Sequence, residues 1–266
     1  MRITSLVDNI SHGACGAEHG LSLHIELDCG TRILFDMGQG DLFARNAELL
    51  GIDLAEVDFA VISHGHYDHG GGLETFLERN GKAKVYIQKD AFGEHYSVKE
   101  YGLKDIGIGC EDRDRLILCD GCTEIGDSVT LFNDPPHEFP EPPGNALLLG
   151  PDGKPDSFIH EQSMLVRECG KCVLFGGCAH RGIVNILHKA QSICEGGVTH
   201  VFSGMHIGKG QVSQEYISGL AGALRAEEKI HYYTMHCTGE EGYNKLRELI
   251  GERIEYLACG ECITLD

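Results

Sequence analysis

No stretch of the 266-residue chain approaches the ~20 consecutive apolar residues of a membrane span. Its first residues, Met1 to Asn9, lack the basic-then-apolar layout of an export signal. Cations are scarce: 22 Lys and Arg stand against 41 Asp and Glu, for a formal net charge of −19. A nucleic-acid or anionic-membrane surface needs clustered positive charge, so neither is expected as a partner. A small-molecule substrate is expected, because one local cation or metal ion outweighs a distant acidic surface. Low-complexity tracts and detectable repeats are missing as well. The expectation is a cytoplasmic protein; composition says nothing of its oligomeric state.

Cysteine, by contrast, is plentiful, with 12 residues. Cys119/Cys122, Cys169/Cys172 and Cys259/Cys262 have CxxC spacing. Without an export signal these read as reduced thiols rather than a disulfide framework. Two such pairs brought together would make a structural zinc site, although they lie far apart in sequence.

Short strand-like runs alternate with helix-like ones. Ser22–Leu27 and Thr31–Phe35 flank a Gly-containing turn and read as a hairpin. Val57–Ile62 reads as a strand, and Leu73–Arg79 as a helix. Later, Cys172–Phe175, Val198–Ser203 and Ile230–Met235 are strands, each followed by a helical pattern. Ser213 is placed to cap a helix reaching Glu227. Hairpins early and strand–helix units late predict a mixed α/β fold over a single domain, 1–266. A loop-rich excursion is expected over 90–144, where Pro135–Pro143 is extended.

The chemistry concentrates in His64-Gly65-His66-Tyr67-Asp68-His69. A random chain of this composition shows HxHxDH roughly three times in a thousand. A strand ending just before the run places His64 and His66 on one side. Imidazole nitrogens suit zinc, iron and related metals, and Asp68 adds a hard ligand or a base. Further ligands must come from elsewhere, and His180, His206 and His236 each sit where a strand ends. In layered α/β proteins such positions converge at one rim.

This pattern resembles the metallo-β-lactamase superfamily. Phe35-Asp36-Met37-Gly38 matches an early turn of that family, and Ser63–Gly72 its signature. Glu18–Ser22, Gly177–Asn185, Gly204-Met205-His206 and His236–Gly239 look like one branch, which carries the name of a dihydropterin (ribofuranosyl)aminobenzene phosphate synthase. The resemblance implies a four-layer αββα sandwich with two divalent metal ions in a cleft at the sheet edge, zinc first, with iron or manganese as alternatives. It implies that His64 and His66 bind one metal, and that Asp68, His69 and His236 bind the other. His180 is taken as a further ligand and Cys178 as a second candidate. His160 or Glu161, ahead of the strand, remain alternatives for the remaining position.

The expected function is hydrolysis by a metal-bound hydroxide, with Asp68 orienting or deprotonating the water. His206, Arg181 and Lys209 are candidates for contacting an anionic or phosphorylated substrate. The alternatives are a dihydropterin-synthase-like transferase, a di-iron redox protein and a non-catalytic metal-binding module.

Overall fold

A computed structural model describes residues 1–208 and 212–266. Two seven-stranded sheets dominate it. From edge to edge, the first contains Cys262–Thr264, Arg2–Val7, Ser22–Glu26, Arg32–Phe35, Phe59–Ile62, Lys84–Gln88 and Leu116–Cys119. The second contains Thr123–Ile125, Val129–Phe132, Ser163–Glu168, Lys171–Phe175, His200–Ser203, His231–Thr234 and Ile254–Tyr256. Both sheets obey one rule: three antiparallel pairings followed by three parallel ones. The halves thus share a topology that sequence comparison within the chain does not reveal. The final strand crosses back to complete the first sheet.

Side-chain alternation builds the layers, since neighbours along a strand point to opposite faces. Val173 and Phe175 point between the sheets, where they meet Phe35, Val61 and Met164. Cys172 and Leu174 point outward, against the helices Ile183–Ile193, Gln214–Ala226 and Gly239–Ile250. Ala60 and Ile62 face the helices Leu42–Leu49 and Leu73–Arg79 on the opposite side. Helix, sheet, sheet, helix: the four-layer αββα sandwich is the fold. Ser213 caps its helix, accepting a hydrogen bond from the Tyr216 N–H at 3.1 Å. No described helix is long and apolar enough to cross a membrane.

Two features were not placed by the sequence. The segment 90–144 holds five short strands among its loops: Leu116–Cys119 edges the first sheet, and Thr123–Ile125 and Val129–Phe132 belong to the second. Edge strands such as Leu116–Cys119 are half-exposed and lack clean alternation, which hides them from pattern reading. Tyr96–Lys99, Gly102–Asp105 and Leu148–Leu149 make a separate three-stranded sheet. Second, Cys172 is placed beside Cys194, which lies outside the CxxC pairs. Cys172 lies in the strand Lys171–Phe175, and Cys194 ends the helix packed on that strand.

Candidate metal centre

The parallel strands all present their C-terminal ends at one rim, and the candidate residues stand on the turns that leave them. Asp36 follows Arg32–Phe35, and His64 follows Phe59–Ile62. Cys178 and His180 follow Lys171–Phe175, His206 follows His200–Ser203, and His236 follows His231–Thr234. Asp36, Ala179, His206 and His236 have φ between 47° and 59°. Left-handed backbone is unfavourable for residues other than Gly, and it concentrates where structure is committed to a task.

Hydrogen bonds settle which imidazole nitrogen faces inward. Asp36 Oδ1 accepts from the Ser63 N–H at 2.7 Å, and Oδ2 accepts from both Ser63 Oγ and His69 Nδ1 at 2.7 Å. With its own hydrogen spent on Asp36, Ser63 Oγ accepts from His64 Nδ1 at 2.9 Å. Asn9 donates its amide to the His236 carbonyl and accepts from the Gly20 N–H, so its oxygen is the atom 2.8 Å from His236 Nδ1. Asn145 donates to the His180 carbonyl at 2.7 Å, leaving its oxygen 3.0 Å from His180 Nδ1. Each Nδ1 therefore carries the hydrogen, and the Nε2 atoms of His64, His69, His180 and His236 are lone pairs. Fixing the ring through its other nitrogen is how proteins prepare imidazole ligands.

These lone pairs crowd together in two adjacent groups. His64, His66 and His180 bring their nitrogens within 4.8 Å of one another, with His64 Nε2 3.0 Å from His66 Nδ1. The Nε2 atoms of His66 and His180 are buried without a hydrogen-bond partner. In the second group, His69 Nε2 lies 3.2 Å from Cys178 Sγ and 3.2 Å from His236 Nε2. Asp68 Oδ2 lies 3.5 Å from His236 Nε2 and 3.1 Å from His19 Nε2. A buried acceptor without a donor costs about 1–3 kcal/mol, and facing lone pairs repel, so a cation is what this donor set fits. Burial, reinforced by neighbouring imidazoles, holds His64 and His180 well below the ordinary imidazole range. Burial likewise lowers His66. Burial raises the Asp68 carboxyl, but the hydrogen bond from His19 and the neighbouring histidine rings outweigh it and hold the group well below the usual range. The first group is thus built of neutral imidazoles, and Asp68 is an ionised carboxylate; in the second group burial lowers His69, but the Asp36 carboxylate outweighs it and raises that ring.

Both alternatives ahead of the strand are engaged with protein groups. His160 Nδ1 accepts from the Gly65 N–H at 3.0 Å, and its Nε2 donates to Asp156 Oδ2 at 3.2 Å. It holds the backbone between His64 and His66 in place. Glu161 accepts from the N–H groups of His180 at 2.7 Å and Arg181 at 2.8 Å, so it shapes the turn carrying His180. Burial pushes its carboxyl up to about 7 against those two donors.

A cavity of about 260 Å³ opens over both groups. His206 lines it, with its ring centroid 4.4 Å from that of His180. Arg181 does not: it is buried, and Nη2 is 3.0 Å from His137 Nε2. Lys209 lies outside the described residues. Sequence reasoning assigned no role to Asp36, Asn9, Asn145 or His19. Asp36 and His19 had a signal, within the Phe35–Gly38 turn and the Glu18–Ser22 motif. The others act through contacts across 11 or more residues.

Strand ends that gather histidines, a thiol and carboxylates at the edge of an αββα sandwich define a metalloprotein of the metallo-β-lactamase type. The comparisons agree, and the chain belongs to the metallo-beta-lactamase superfamily, whose profile matches residues 16–155. Among solved structures, Tm1679, described as a metal-dependent hydrolase of the beta-lactamase superfamily, is similar over 100% of this chain and 99% of its own, with 30% identity and a TM-score of 0.82. An uncharacterized protein of Methanocaldococcus jannaschii is 29% identical, covering 93% of this chain and 94% of that protein. The 7,8-dihydropterin-6-methyl-4-(beta-D-ribofuranosyl)-aminobenzene-5'-phosphate synthase of the same organism is 26% identical, covering 93% and 90%. The superfamily binds metal ions and is mostly enzymatic.

Proposed function

We propose that the chain is a cytoplasmic metal-dependent hydrolase of a small anionic substrate, with two divalent ions at the rim. His64, His66 and His180 would hold one, and Asp68, His69, Cys178 and His236 the other. The observation that carries this reading is the pair of adjacent donor groups with their lone pairs turned inward. A nitrogen set joined by a thiolate suits zinc best. Divalent ions supply Lewis acidity and bring the pKa of water toward ~7.

The chain's own residues do the rest. Asp68 Oδ2 is aimed by His19 at the cavity wall, where an ionised carboxylate orients a water and accepts its proton. His206 stands beside His180 and contacts the substrate. The likeness to Tm1679 supports hydrolysis. A second reading, a transferase joining a pterin to an aminobenzene ribosyl phosphate, is supported by the likeness to the dihydropterin synthase. Both need the same ligands. The test is metal-loaded protein against a hydrolase panel, where His66→Ala abolishes turnover. Full activity in a rigorously metal-free preparation overturns the proposal. Product analysis with a pterin pyrophosphate, with and without the amine, separates hydrolase from transferase.

A further inference from the structure

The three-stranded sheet closes the cavity on the side facing away from the rim strands. Its register decides what it shows there. Ser97 pairs with Lys104 and Lys99 with Gly102, while Leu148 pairs with Ser97 from the other side. Residues two apart on a strand share a face, and directly paired residues share it too. Ser97, Lys99 and Lys104 therefore lie on one face, and all three line the cavity.

Both lysines have unspent charge. The ion pairs that lysines make among the described residues involve Lys82, Lys89, Lys154 and Lys245. Lys99 and Lys104 make none. Lys104 Nζ sits 4.3 Å from the centroid of the Tyr67 ring, and Tyr67 lies between the ligand candidates His66 and Asp68. Asp68 is the one carboxylate among the described lining residues, and it is committed to the rim. Two cations facing a cavity without a counter-charge are unusual in a chain of net charge −19. Ile106, Leu147, Leu148 and Val212 fill the wall around them.

We propose that Lys99 and Lys104 form an anion-recognition site that holds a phosphate or carboxylate carried on an apolar body, with the opposite end of that molecule at the rim. The inference rests on reading the rim as the reacting centre, and it adds where and by what the substrate's charge is read. Arg181, the cation that sequence position suggested, is outside the cavity wall, so these lysines replace it in that role. An ammonium bound to an anion in a partly apolar cavity is worth more than one on an open surface. The walls around it favour a ring or short chain over a polar backbone.

Equilibrium binding to metal-loaded protein tests this without turnover. The probes are phenyl phosphate, phenylacetate and uncharged benzyl alcohol, titrated by calorimetry into wild type, Lys99→Gln, Lys104→Gln and the double variant. Metal content is measured in each. The expected result is a Kd for an anionic probe raised roughly tenfold per lysine, with benzyl alcohol and metal content unchanged. The larger loss identifies the group: phenyl phosphate for a phosphate, phenylacetate for a carboxylate. Unchanged anion binding in the fully metallated double variant overturns the proposal, as does a wild type that binds neither anion. Failure of the hydrolase reading appears separately, as a lack of metal-dependent turnover with these affinities intact.

Discussion

His69 Nε2 stands 3.2 Å from His236 Nε2, and neither nitrogen carries a hydrogen. The Nδ1–H of His69 is held by Asp36 and that of His236 by Asn9. Two imidazole nitrogens set face to face from residues 167 positions apart fit a shared cation.

Removing either ring should therefore show in metal content. His69→Ala or His236→Ala is expected to lower the bound metal by about one ion per chain. Asp36→Asn leaves the ligand in place but loosens its orientation, and should weaken metal affinity about 10–100-fold. Elemental analysis after dialysis against a graded chelator measures both. Full occupancy in His236→Ala would contradict the ligand assignment.

Cys178 should announce itself spectroscopically. Burial raises its thiol, so a proton stays on sulfur until a metal displaces it. Cobalt-loaded wild type is expected to show a thiolate-to-cobalt charge-transfer band that Cys178→Ser lacks. A band of equal strength in the variant would reassign the sulfur, with Cys237 the next thiol at hand.

Acid should destabilise the metal-free protein. His64, His66 and His180 have folded-state values lowered from 6.5 by burial. The unfolded chain then binds more protons than the folded one below about pH 6.5, so stability falls as pH drops through that value. Glu161, raised to about 7, acts in the opposite direction, as do the raised His69 and Asp8, but the lowered imidazoles outnumber them, since burial also lowers His24, His160 and His200. Thermal melts of chelator-treated protein from pH 5 to 8 should show Tm rising with pH up to about 6.5. A flat profile would mean that these rings are protonated equally in both states.

Glu161 is expected to matter through the backbone. Glu161→Ala strands two buried N–H groups, at a cost of about 2–5 kcal/mol. Glu161→Gln keeps an acceptor and should lose less. Chemical denaturation of both variants measures the difference, and equal stability of Glu161→Ala and wild type would refute the structural role.

What could be read from the sequence depended on distance along the chain. His64 to His69 are contiguous and follow an apolar strand, so both their chemistry and their convergence were legible. His180, His206 and His236 could be placed because each ends a strand, and parallel strands end together. The contacts of His160 and Glu161 were not legible, because they reach the backbone of Gly65, His180 and Arg181 across the fold. Lys99 and Lys104 were hidden inside a segment read as loop. Their shared face follows from a pairing register with no signature in a four-residue strand. The repeated pairing rule of the two sheets was equally invisible, because topology survives changes that erase sequence likeness.

The two sheets contribute to the rim from separate halves of the chain: His64, His66, Asp68 and His69 leave the first, and Cys178, His180 and His236 leave the second. Ions bound among them would clasp one half to the other at the open end of the sandwich, where the inter-sheet core stops. At a thousandfold excess over Kd, one such ion adds about 4.1 kcal/mol, a large share of the 5–15 kcal/mol by which domains usually exceed unfolding. Metal scarcity would then reach this protein twice, silencing its chemistry and unfastening its halves, so that the abundance of the folded chain tracks the supply of the ion it uses.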